Sequence, residues 1–121
     1  MYGTVRLYGA ARRDERLAGH LSTEDPLLHV CLMTYASDMT LLDTVLLNHA
    51  RAWGDKKTMG ASLDHAMWFH RPFRADEWLL YAQDTPNASG ARGLARGQVF
   101  TQDGELVVSV VQEGLIRTSR P

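Results

Sequence analysis

The sequence predicts an α+β domain in which one helix lies against an antiparallel sheet. Three observations predict it. Leu27 to Tyr35 is an almost unbroken apolar run, the pattern of a strand buried on both faces. Leu42, Val45, Leu46 and His49 recur at i, i+3, i+4 and i+7, an apolar helical stripe that Leu41 and Leu47 widen. Four strand candidates follow between Thr58 and Arg117, the last two joined by Gln102-Asp103-Gly104, whose Asp-Gly pair marks a tight hairpin.

The elements follow in order. Tyr2 to Tyr8 is a short candidate strand. Arg12-Arg13-Asp14-Glu15-Arg16 reads as solvated, and Ser22-Thr23-Glu24-Asp25-Pro26 as a turn or linker. Residues 1–25 are thus a lead-in, and residues 26–121 a single domain. After the strand at 27–35, Ser37 or Asp38 is a candidate N-cap for a long helix that ends at the loop Gly54-Asp55-Lys56-Lys57. Thr58 to His70 alternates, with Leu63, His65, Met67 and Phe69 on one face and Ser62, Asp64, Ala66, Trp68 and His70 on the other. Arg71-Pro72 breaks the run. Glu77 to Gln83, Arg92 to Thr101 and Glu105 to Arg117 are the remaining strands, with 84–90 a polar loop.

Bulk properties exclude several classes. A chain of 121 residues, 45% apolar, builds one core without staples. A net charge of -1 lacks the basic excess of a dedicated nucleic-acid binder. The single cysteine, Cys31, forms no internal disulfide and reads as a buried, inert thiol. No apolar run approaches the ~20 residues of a membrane span. With no secretory h-region and no Ser-Lys-Leu terminus, the expected location is cytoplasmic. No Cys pair, His-Glu-x-x-His string or Gly-rich phosphate loop is present, so neither metal nor cofactor is expected.

The polar oddities adjoin apolar elements. Gln112 continues the face of Leu106, Val108 and Val110 on the last strand. Burying its amide without partners costs roughly 1–3 kcal/mol. It therefore either holds a specific partner or lies half-solvated beside a bulge at Gly114. Asp38, at the expected helix start, is a cap or a functional carboxylate held by the helix dipole. Ser62 and Asp64 share the strand face expected above, where a structural role is the plain reading.

Tyr35-Ala36-Ser37-Asp38, the string from Ser62 through Asp64-His65-Ala66-Met67-Trp68-Phe69-His70-Arg71-Pro72 to Phe73, Glu77-Trp78-Leu79-Leu80-Tyr81, Ala88-Ser89-Gly90-Ala91-Arg92-Gly93 and Val111-Gln112-Glu113-Gly114-Leu115 occur in this order between about Pro26 and Arg117. Together they resemble the acyl-CoA thioesterase II family, specifically the second of the two hotdog repeats its members usually carry. The resemblance implies a hotdog fold, a curved antiparallel sheet wrapped around one long central helix. It also implies hydrolysis of fatty acyl-CoA to fatty acid and CoA. The family's catalytic trio carries over to Asp38, Ser62 (commonly threonine in the family) and Gln112, which would activate a water. Arg92 or Arg96 are candidates to meet the CoA phosphates, against the plainer reading of solvated strand arginines. A lone repeat exposes a sheet edge, so the expected partner is a second copy or another hotdog domain. The alternatives are a non-catalytic acyl-CoA-binding or oligomerisation module, or a piece of a double-hotdog thioesterase. A dehydratase of the Asp-x4-His kind is disfavoured, because Asp43 and Phe69 stand five residues after Asp38 and Asp64.

Overall fold

Pro26 begins the first helix rather than closing a linker. A computed structural model of the protein describes residues 2–8, 24–39, 41–48 and 58–118. Helix α1 spans Pro26–Ser37, and the short α2 spans Asp43–Asn48. The strands are β1 (Tyr2–Tyr8), β2 (Thr58–Phe69), β3 (Trp78–Ser89), β4 (Arg92–Thr101) and β5 (Leu106–Thr118). They form one five-stranded sheet in the order β1-β3-β4-β5-β2, and each pairing is antiparallel. The expectations for Arg12 to Arg16, His49, the loop at 54–57 and the Leu47 side chain lie outside the described residues.

The strand expected at Leu27–Tyr35 is therefore a helix, and of the long helix expected after it the described residues show α2, Asp43–Asn48, preceded by turns at 38–39 and 41–42. The local chemistry explains the correction. The Asp25 carboxylate accepts a hydrogen bond from the Leu27 amide at 3.0 Å, and Pro26 takes the first helical position, where its missing N–H costs nothing. The core-facing positions are His29, Met33, Ala36 and Ser37, a helical spacing hidden because Leu27, Leu28, Cys31 and Tyr35 on the exposed side are also apolar or nearly so. Cys31, expected to be buried, is exposed for the same reason. Ser37 ends the helix and Asp38 is its C-cap, not an N-cap.

The predicted stripe does form the buried side of the 41–46 segment, where Leu41, Leu42, Val45 and Leu46 are all core residues. Glycines permit its close approach to the sheet. A Cβ on Gly114 would stand 2.7 Å from Leu42 Cδ1, and one on the paired Gly93 would stand 2.3 Å from Val45 Cγ1. The core joins Met33, Leu41 and Val45 to Leu79, Tyr81, Ala95, Val99, Val107, Val108 and Val110. Strand β3 runs past its expected end at Gln83 to Ser89. Pro86, which has no amide to donate, falls where the register with β4 shifts between Asp84 and Asn87. The β3–β4 hairpin closes through Gly90 and Ala91, both at φ near +60°, as a two-residue primed turn requires.

Gly114→Ala should overpack the seat of Leu42. A loss of about 1–3 kcal/mol is expected from forcing extra carbon into a filled site, measurable as a lower urea midpoint with an unchanged slope.

Candidate active site

Gln112 occupies the middle of β5, opposite His65 of β2 and Ala95 of β4. It is 0% exposed, which removes the half-solvated reading, and Gly114 keeps regular pairing with Ser62 and Gly93. The irregularity lies across the ladder instead, on β2. Between Ser62 and Asp64 the register slips by one residue at Leu63. Strict alternation puts Ser62 and His65 on opposite faces. The extra residue returns Ser62 to the face of His65, Met67 and Phe69, the inner face.

Three side chains meet there. Gln112 Nε2 donates to Asp38 Oδ1 at 2.6 Å and to Ser62 Oγ at 2.8 Å. The amide orientation follows from its neighbours, since an oxygen turned toward the Asp38 carboxylate would set acceptor against acceptor. Gln112 Oε1 is buried with no hydrogen-bond partner among the described residues. Asp38 leaves α1 just where the helix ends, and its side chain is 62% exposed. As the C-cap of α1, Asp38 does not sit on the first amides of that helix. The Asp38 and Met39 amides both donate to the Ala36 carbonyl instead. An open groove of about 320 Å³ is lined by Asp38, Met39, Leu42, Asp43, Gly60, Ala61 and Ser62.

A further layer fixes Asp38 from behind. Tyr81, fully buried, donates its hydroxyl to the Ser37 carbonyl at 3.0 Å and so satisfies an end carbonyl of α1. Burial pushes the Tyr81 hydroxyl well above its ordinary range, with the nearby Asp38 carboxylate adding to the shift, so it remains a donor. Ser37 Oγ lies 2.8 Å from Thr34 O and 3.0 Å from His65 Nε2. His29 Nδ1 accepts from the Ala75 amide, tying α1 to the segment between β2 and β3.

A family model described as acyl-CoA thioesterase matches residues 12–115. The chain belongs to the acyl-CoA thioesterase family. It is 47% identical over 102 residues to human acyl-coenzyme A thioesterase 8, covering 84% of this chain and 31% of that protein. The crystal structure of acyl-CoA thioesterase II TesB2 from Mycobacterium marinum superposes with a TM-score of 0.75 at 40% identity, covering 98% of this chain and 49% of that one. A hot-dog-like protein from Thermanaerovibrio acidaminovorans, at 14% identity, shares the fold alone with a TM-score of 0.60 over 98% of this chain. The chain thus spans about a third of the human relative's length and about half of the mycobacterial one.

In this acyl-CoA thioesterase family member, the structure brings Asp38, Ser62 and Gln112 together and leaves Arg92 and Arg96 apart from them. Arg92 and Arg96 alternate with the buried Gly93, Ala95 and Gly97, so they stand on the outer face of β4. Arg92 lies 3.7 Å from Glu113, and Arg96 is bidentate on Asp84. The outer-facing Asp64 pairs across with Glu113, away from the trio. His65, Ser37 and Tyr81 are the neighbours that sequence reasoning missed. The adjacency of Ser37 to Asp38 was the available signal for one of them. Nothing in the strand's composition announces the bulge that places His65.

The Arg96 guanidinium holds the Asp84 carboxyl below the usual carboxylate range. Its contribution is therefore complete above the ordinary carboxyl pKa and is lost as pH falls through the lowered value. Arg96→Ala should return the Asp84 titration, followed by side-chain NMR, upward to the ordinary range and leave hydrolysis unchanged.

Proposed function

We propose that this chain hydrolyses fatty acyl-CoA thioesters through a water held by Asp38 and Ser62. The observation that carries this reading is the Gln112 amide, buried and bound to both oxygens at once. Both amide hydrogens are engaged, so Gln112 fixes the other two groups relative to each other. Asp38 Oδ2 and the Ser62 hydroxyl proton have no partner among the described residues. They form an acceptor and a donor side by side at the groove, which is what orienting a water requires. Asp38 takes a proton from that water as its oxygen attacks the thioester carbon. Collapse of the tetrahedral adduct breaks the carbon–sulfur bond, and the proton on Asp38 passes to the departing CoA sulfur. General-base assistance of this kind contributes typically 10²–10⁴-fold. Names of the relatives, acyl-CoA thioesterases in both cases, support the substrate class.

The same reading includes pairing with a second hotdog unit along β2. Among the described residues β2 has a neighbour on one side only, β5. Along it Met59, Leu63 (49%), Trp68 (51%) and Phe69 are exposed apolar side chains. An open edge of this kind invites another strand. A unit seated there would also cover Ser62 and shield the exposed Asp38 from bulk water. A second copy of this chain serves as that unit when no other is present.

Asp38→Asn should lower kcat for acyl-CoA hydrolysis by about 10²–10⁴-fold, and Gln112→Ala should lower it as well, with folding checked by circular dichroism. Near wild-type kcat in both would sink the assignment. Sedimentation should give a mass twice that of the 13.5 kDa chain, and Trp68→Glu should lower both mass and activity. A monomer that binds acyl-CoA without cleaving it would instead establish a binding module.

A further inference from the structure

His65 is part of the same cluster, yet the hydrolysis proposed above gives it no role. Its two ring nitrogens meet two different oxygens. Nε2 stands 3.0 Å from Ser37 Oγ, and Nδ1 stands 3.7 Å from Asp38 Oδ1. Turning the ring over would present carbon to both, so the pair of contacts fixes the ring's orientation. The side chain is only 22% exposed.

Proton placement follows from the partners. A lone pair on Nδ1 would face a carboxylate oxygen, acceptor against acceptor. A proton there faces its natural partner. Nε2 is then served by the Ser37 hydroxyl, which turns between it and the Thr34 carbonyl. Oδ1 of Asp38 is thus approached by two donors, Gln112 Nε2 from β5 and His65 Nδ1 from β2, and both leave Oδ2 for the groove. Hydrogen bonds in an empty site are often long and tighten when substrate arrives, so 3.7 Å is compatible with this duty.

We propose that His65 is a positioning residue, whose Nδ1–H holds Asp38 Oδ1 so that Oδ2 faces the reacting water. The bulge at Leu63 supports this assignment, because it is what puts Ser62 and His65 on one face of one strand. Bulges beside reaction sites serve to re-aim a side chain in this way. The proposal rests on the reading of Asp38 as the base.

Asparagine and glutamine separate the two ring contacts. The Asn amide reaches the Nδ1 position and the Gln amide the Nε2 position. His65→Gln should lower kcat about 10- to 100-fold, the scale of a catalytic group misplaced by a fraction of an ångström to an ångström, with KM within about twofold. His65→Asn should restore most of kcat. His65→Gln turning over like wild type, or His65→Asn as impaired as His65→Gln, overturns the proposal. Asp38→Asn measured alongside separates the two failures. If it stays active, the reading of the base is wrong; if it collapses while His65→Gln is normal, only the positioning role is wrong. Nitrogen-15 NMR of the His65 ring in the unmutated chain needs no turnover. Nδ1 protonated is the expected state, and a ring protonated on Nε2 alone also overturns the proposal.

Discussion

The buried amide of Gln112 is the constraint on which the rest of the structure turns. A primary amide taken fully out of water must recover its hydrogen bonds from protein, at a cost of roughly 1–3 kcal/mol where it does not. Its nitrogen recovers both, and they lead to different parts of the chain: the end of α1 and the third position of the β2 inner face before the ladder continues. Bonds of 2.6 and 2.8 Å leave little room for slack. The end of a helix, an edge strand and the interior strand beside it are thereby clamped at one point, and Gln112 Oε1 is buried with no hydrogen-bond partner among the described residues. That amide does structural work whatever the groove binds.

Around this clamp the backbone is brought unusually close. Gly114 and Gly93 lie side by side on β5 and β4, under Leu42 and Val45, and Gly97 lies under the Tyr81 ring. Side chains at these places would lift the 41–46 segment from the sheet and widen the distance that Gln112 has to span. Tyr81, seated over Gly97, reaches the Ser37 carbonyl one residue before Asp38. Small residues on the floor and a long donor over it jointly set the height of the helix end above the sheet.

Much of this is legible in the sequence alone. Alternation located β2 and the first part of β3, Asp103-Gly104 located the last hairpin, and Gln112 stood out because it broke an apolar face of β5. What was illegible has particular causes. The run from Leu27 to Tyr35 is apolar on both its buried and exposed sides, so it carries no period to distinguish helix from strand. The decisive signal was the cap, Asp25 before Pro26, which also reads as a turn. The bulge at Leu63 has no glycine or proline to mark it, so counting by twos separates Ser62 from the very neighbours it joins. The extension of β3 through Pro86 depends on a register shift that local propensity does not encode.

Moving Asp38 from the start of a helix to its end changes what holds the carboxylate. A helix start offers free amides and a favourable dipole, whereas a helix end offers neither and presents the negative pole. Here the Asp38 and Met39 amides are already bound to the Ala36 carbonyl. A side-chain donor from β5, Gln112, holds the acid, and on the proposed reading His65 of β2 joins it. Among the described residues β2 is an edge strand, exposed along much of its length. On the proposed reading, two of the groups that define the water site ride on the strand that a second hotdog unit would grip. Pairing along β2 and alignment of Ser62 and His65 with Asp38 then become one event. On that reading the active site is completed by assembly, because the edge strand that carries Ser62 and His65 is the strand a second unit would cover.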